Sequence, residues 1–357
     1  MSVFVTLLAT LCYMGLTGRI RDIESCLRAF GPKLYHAGIR GSVSRSTLAK
    51  ANENRDWRIY RDYAQCLIKT ARKLYATEDF GVDLDNTVYA FDSTTIDLCL
   101  SLFPWAPFMN HPLKKKAAVK LHTLLDLRGN IPSFIEISDG KVGDVTALDS
   151  LSIEPAAFYV LDRGYFNFRR LARFPKAGAY FITRPRLNMR YWRVSSAEVP
   201  QNSDIISDKT IRLCGKDTRR DYPWHLRRIR FYDKKEKHHL VFITNNFDLP
   251  AITIAQLYKC RWQIELFFKW IKQNLRIKAF FGYSENAVKT QIWISVATYV
   301  LIAIVKKRRA LPLPLSNLLQ VFSLGLFEKM PILQAFYETI DQKNITTQPN
   351  QLVLFDN

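Results

Sequence analysis

The sequence predicts an α/β fold framed by helices, and three observations predict it. Helical periodicity runs to about residue 77, short β-rich runs begin near residue 86, and long apolar helices return after residue 249. With 357 residues, 48% of them hydrophobic, the chain has material for a large core, which excludes global disorder. A formal net charge of +20 and a pI near 9.7 point to a polyanionic partner, nucleic acid first of all.

Taken in order, residues 1–77 read as a helical, DNA-binding N-terminal domain. Its apolar run 3–16 is expected to be a buried helix, since it lacks the basic leader of a signal peptide and runs into Arg19, Arg21 and Asp22. Breaks at Gly31-Pro32 and at 38–41 imply short helices. Residues 44–55, "SRSTLAKANENR", open on capping-type side chains and carry Arg45, Lys50 and Arg55, which suits either a recognition helix or a solvated bundle helix.

Residues 78–186 form the first part of the core. The runs 87–98, 116–127 and 130–138 fit three consecutive strands, the last two joined by a tight turn at Arg128-Gly129-Asn130. A helix at about 144–151, a strand at 157–162, a helix near 167–174 and a strand at 179–184 follow. Three strands, helix, strand, helix, strand is the order of a ribonuclease H-like core. Residues 187–245 read as a β-rich insertion, with strand-like runs at 225–232 and 239–244 and two tryptophans, Trp192 and Trp224, of the kind usually found in a core.

Residues 246–308 return to the core as one long helix to about 275, capped by Asp248 with Pro250 in its first turn, and a second apolar helix at 285–305. The apolar stretch 292–305 falls short of a bilayer span, so no membrane association is expected. A proline-punctuated link, a helical segment near 316–340 and a polar tail complete a C-terminal unit, 309–357. Six scattered cysteines without ligand or redox spacing read as reduced core thiols of a cytoplasmic protein.

The segment 258–276, "YKCRWQIELFFKWIKQNLR", carries the chemistry. At about 100° per residue, Tyr258, Arg261, Glu265, Lys269, Lys272 and Arg276 share one narrow stripe, and apolar side chains fill the rest. That composition predicts a mostly buried helix whose single polar face offers one carboxylate among four cations, or else an exposed stripe with a Glu265–Lys269 ion pair. Two aspartates, Asp92 in "AFDST" and Asp162 in "FYVLDRGY", stand at strand positions that one end of a core sheet would present. With Glu265 they offer three hard oxygen ligands, the donor set of a magnesium pair that supports in-line displacement at phosphorus. Nine basic residues and no acid fall between Arg163 and Arg193, and Lys114–Lys116 with Lys120 form a second patch; both suit phosphate contact. Lys120 and His122 alternate on a strand expected beside Asp92, which gives both a possible place in the site.

This combination resembles the DDE transposases of the insertion-sequence-4 family, from about residue 18 to residue 335. The family's glutamate-helix signature is Tyr, two residues, Arg, three residues, Glu, six residues, Lys, and Tyr258, Arg261, Glu265 and Lys272 match every step. "DST" at Asp92 and "DRGY" from Asp162 to Tyr165 resemble its aspartate motifs, and the 103 residues from Asp162 to Glu265 leave room for the family's β insertion.

The resemblance implies Asp92, Asp162 and Glu265 as catalytic residues holding two Mg²⁺ ions, with Mn²⁺ able to substitute. It implies Tyr258, Arg261 and Lys272 on phosphates, joined by Arg163, Tyr165, Lys120 and His122 as DNA contacts. Double-stranded DNA would be the partner, both element ends and target, with a homodimer in the synaptic complex and a hairpin intermediate on which Trp192 or Trp224 stacks a flipped base. The bacterial cytoplasm, in association with the nucleoid, would be its place. By the same resemblance the chain begins inside the first helix of the N-terminal domain. Two other classes remain open at this level: a catalytically inactive DNA-binding relic or transposition inhibitor, and a nuclease that cuts without joining.

Overall fold

The computed structural model describes residues 20–31, 34, 35, 39, 41–111, 114–200, 203–275, 277 and 280–325; the expected helix at 3–16, Cys12, Arg276 and everything after 325 lie outside that set. The N-terminal helices are α1 (Ile20–Ala29), α2 (Arg45–Asn54) and α3 (Arg58–Tyr75). Ser44 caps α2 by accepting from the Thr47 N–H, as its sequence predicted, and α2 buries none of its residues. Along α3, Tyr60, Ala64, Ile68, Ala71 and Tyr75 recur at three- and four-residue steps and form its buried face.

The β-rich region builds strands β1 (Val88–Leu98), β2 (Pro107–His111), β3 (Lys114–Asp126), β4 (Ile131–Asp139), β5 (Phe158–Leu161) and β6 (Tyr180–Thr183). The insertion adds β7 (Tyr191–Ala197), β8 (Ile205–Leu213), β9 (Leu226–Asp233) and β10 (His238–Thr244). All ten join one sheet in the order β2-β3-β1-β5-β6-β10-β9-β8-β7, with β4 also on β3. β1, β3 and β4 are antiparallel neighbours, while β5 runs parallel to β1 and β6 parallel to β5. The insertion is therefore no separate appendage: β10 pairs antiparallel with β6 and carries the core sheet outward. The expected helix at 144–151 is a 3₁₀ segment, Asp144–Ser150, and that near 167–174 is two short helices, α4 (Phe168–Leu171) and α5 (Arg173–Lys176). A further short helix, α6 (Lys216–Asp221), joins β8 to β9.

Both faces of the central strands are covered, so their sequences read as continuous apolar runs. Val88, Ala90, Phe158 and Val160 face one core, shared with the long helices, while Tyr89, Phe91, Tyr159 and Leu161 face a second. The single long helix expected at 249–275 is two, α7 (Ala251–Cys260) and α8 (Trp262–Asn274), parted by a tight turn at Arg261. Asp248 does not cap it: Pro250 holds the cap position with no side-chain bond, and Asn246 accepts from the Leu249 N–H instead.

Helix α9 (Glu285–Arg308) is longer than its apolar stretch suggested, and by length and composition alone it would cross a bilayer. In this fold 83% of its most apolar window is buried inside the protein, against α3 and α10 (Leu315–Gly325). The cysteine reading is also corrected. Cys66 and Cys99 are exposed and Cys26, Cys214 and Cys260 half-buried, all as free thiols.

Candidate active site

Period-two alternation puts Asp92 on the face of β1 that carries Val88 and Ala90, turned toward the long helices. Asp162 follows the last residue of β5. Because Phe91 is paired with Leu161, the two aspartates are lateral neighbours at the same end of the parallel strands. Asp162 caps the 3₁₀ turn Arg163–Tyr165, accepting from the Gly164 N–H at 3.3 Å.

Arg261 joins the helices to this end of the sheet. The Arg261 N–H bonds to the Tyr258 carbonyl and the Ile264 N–H to the Arg261 carbonyl, a three-residue spacing that tightens the helix locally. From that turn Nη1 donates to Asp92 Oδ2 at 3.1 Å and Nη2 to Glu265 Oε1 at 2.6 Å. One guanidinium thus bridges carboxylates from β1 and α8. Burial pushes the Asp92 carboxyl up to about 6; the Ser93 N–H and Arg261 oppose that, and the charges of Asp162 and Glu265 add to it. The arrangement brings the charges of three acids to bear on one half-buried point, and the Arg261 guanidinium answers two of them.

Among the described residues no three His, Cys, Asp or Glu side chains form a ready metal-holding group, and the Arg261 guanidinium lies between Asp92 and Glu265. The donor set still suits a hard divalent ion, being all carboxylate oxygen. Arg261 Nε is buried with no hydrogen-bond partner among the described residues.

The other expected contacts divide. Arg163 is exposed beside Asp162. The Lys272 ammonium donates to the Thr95 carbonyl on β1. Tyr258 is 8% exposed, its ring packed on Phe242 and lying under Arg261. Tyr165 is 2% exposed, with its ring edge-on to Phe91, and so presents no face to a DNA strand.

His122 and Lys120 are corrections of register. Asp92 is paired with Thr123, whereas His122 lies opposite Ser93 and therefore on the other face of the sheet. His122 is fully buried, its Nε2 on Ser138 Oγ, and it offers no atom to a phosphate. Lys120 donates to the Val142 carbonyl and to Asp144. The sequence placed Asp144 at the start of a short helix, yet its carboxylate also accepts from Ser93 Oγ at 2.8 Å, while the Ser93 N–H holds Asp92 Oδ1. Only the hairpin register could have revealed it.

Two further expectations change. The helix face holding Glu265 is less covered than predicted, with Trp262 57% and Leu266 41% exposed. Glu265 pairs with Arg261, whereas Lys269 is exposed. Trp192 and Trp224 are exposed too, rather than core. Of the basic cluster, Arg170 is engaged by Asp149 and Arg173 by the Leu148 and Leu151 carbonyls, whereas Arg163, Arg169, Lys176, Arg186, Arg190 and Arg193 are exposed.

A family model described as "Transposase DDE domain" matches residues 83–301, a span holding all three acids. A Sinorhizobium fredii protein named as transposase y4zB is 33% identical over 219 residues, 60% of this chain and 61% of that protein. A Geobacillus stearothermophilus protein named as a transposase for insertion sequence element IS5377 is 31% identical over 219 residues, 59% of this chain and 54% of that protein. A Synechocystis protein named as a transposase for element IS4SA is 24% identical over 282 residues, 74% and 72% of the two chains. The match thus spans 61% and 54% of the length of the first two relatives. A solved piggyBac transposase synaptic complex with hairpin DNA is similar at a TM-score of 0.43 and 11% identity, covering 76% of this chain and 59% of that one, too remote to assign a fold.

Proposed function

The chain belongs to the DDE transposase family, of the insertion-sequence-4 kind, and from that membership we propose that it cleaves the ends of its insertion element and joins them to target DNA by two-metal phosphoryl transfer. The observation that carries this reading is the Asp92–Arg261–Glu265 bridge, which draws together acids 173 residues apart with Asp162 beside them. The strand order around β1 supports a ribonuclease H-like core built from 78–186 and 246–308, the insertion 187–245 extending its sheet.

Asp92, Asp162 and Glu265 would hold Mg²⁺, or Mn²⁺ in its place. The metal would activate the attacking oxygen and stabilise the leaving one. Arg261, released from the acids, would turn its fork to a phosphate, and Arg163 would contact the backbone without reading bases. Lys272 would hold the register of α8 on β1 through Thr95. A homodimer would bring two element ends together, working on the nucleoid in the cytoplasm.

The test is cleavage of DNA bearing the element's own ends with Mg²⁺, native chain against Glu265→Gln. The native chain nicks at the boundary; the variant binds and does not cut. If both bind and neither cuts with Mg²⁺ or Mn²⁺, the chain is a DNA-binding relic instead. If the native chain nicks but a pre-cut 3′ end is never joined, it is a nuclease.

A further inference from the structure

Beside Asp162, on the side away from β1, lies a second concave feature. A cavity of about 210 Å³ is bounded by Arg163, Arg184, Arg186, Tyr191, Arg228 and His239, with no Asp or Glu in its lining. It exists only because the insertion continues the core sheet. Arg163 and Arg184 come from the ends of the core strands, Tyr191 from β7, Arg228 from β9 and His239 from β10. None of the four arginines forms an ion pair among the described residues, although elsewhere in the same sheet Arg227 is fully engaged by Asp208.

Four guanidinium groups gathered around one hollow repel one another, and such an arrangement persists where an anion compensates it. The volume lies below the ~300–1,000 Å³ of a pocket for a drug-sized ligand, so a small, highly charged group fits better than a whole metabolite. The aromatic wall is also taken: the Arg228 guanidinium lies over the Tyr191 ring, 5.3 Å from its centroid, which leaves that face unavailable for a base. The cavity is joined to the acid cluster through the backbone, for Arg163 follows Asp162 directly and Arg184 follows Thr183, whose hydroxyl donates to the Asp162 carbonyl.

We propose that this cavity is a phosphodiester-binding site, which grips the DNA backbone where it leaves the acid cluster on the Asp162 side and reads no base there. The inference rests on the transposase reading and adds to it a job for the insertion. Planar arginine forks match phosphate oxygens, and each phosphate contact adds about 0.9 to the slope of log affinity against log salt for duplex DNA.

The probe is a duplex carrying the element's end, bound across a salt series by the full chain. Arg186→Ala/Arg228→Ala lowers the magnitude of the salt slope by about one to two and weakens binding equally on a duplex of scrambled sequence. The charge-preserving pair Arg186→Lys/Arg228→Lys keeps the native slope, which separates lost charge from lost fold. Arg309→Ala, at the C-terminal end of α9 and outside the cavity lining, also keeps it. An unchanged slope in the alanine pair overturns the site, as does an equal drop in Arg309→Ala or a loss confined to the element-end duplex. A native chain that shows no salt-dependent DNA binding overturns the transposase reading itself, and this site with it.

Discussion

His122 shows what one side chain contributes when the sheet closes over it. Burial pushes its imidazole down to about 4, only partly offset by Asp144, and its Nδ1 is buried without a hydrogen-bond partner among the described residues. The folded protein therefore holds it neutral while the unfolded chain takes up a proton below about 6.5. This stabilisation is complete above that value and is lost as pH falls toward 4, amounting to about 2 kcal/mol between pH 7 and pH 5. Denaturant melts of native protein and His122→Gln at the two pH values check this: the native chain loses more stability, and parallel losses would refute the assignment. The sequence shows that Lys120 and His122 share a face. It cannot show which face Asp92 takes, because a one-residue change of register exchanges the two. The acids are different. Asp92, Asp162 and Glu265 stood out in the sequence as candidates because a carboxylate within or just after an apolar strand, or alone on a cationic stripe, is costly to bury without a partner.

At the scale of elements, the Arg128-Gly129-Asn130 turn was legible and its surroundings were not. Gly129 and Asn130 adopt φ of 76° and 55°, the left-handed conformation a tight hairpin needs, and a Cβ on Gly129 would clash with the Tyr75 ring of α3. Arg128 from the same turn donates to the Glu78, Leu84 and Asp85 carbonyls and so pins the segment between α3 and β1. Gly129→Ala is expected to cost about 1–3 kcal/mol, from the strained φ and the clash together. Chemical denaturation measures it, and a variant within a few tenths of native would show that the turn relaxes. The break at Arg261 was invisible in a sequence with unbroken helical periodicity. Buried Asp208 and Arg227 likewise give no sign in the sequence that Arg227 Nη1 also reaches the Leu249 carbonyl and sets where α7 begins.

Across the whole molecule, one amide ties the end of α2 to the first turn of α9, while α3 packs along α9 directly. Asn286, in the first turn of α9, donates to the Asn52, Glu53 and Arg55 carbonyls at the end of α2 and accepts from the Trp57 N–H, partners more than 220 residues away in sequence. Orphan carbonyls at a helix end need such partners. In Asn286→Ala the amides of residues 44–57 should exchange with solvent at least tenfold faster while those of β1 and β5 keep native rates, consistent with a loss of about 1–3 kcal/mol confined to that junction. Hydrogen exchange followed by mass spectrometry checks it, and unchanged rates at 44–57 would assign the tether elsewhere.

The sequence by itself carried the family's motif signature, three candidate acids, much of the order of elements through the core and the net basic charge, because composition, periodicity and motif spacing are local properties of the chain. The tertiary structure decided what depends on contacts between distant residues. Strand register put Thr123 rather than His122 beside Asp92, β10 joined the insertion to the core sheet, and Arg261 came to bridge Asp92 and Glu265. No local pattern encodes which strand will lie beside which, since that is settled by the burial of both faces of the sheet at once.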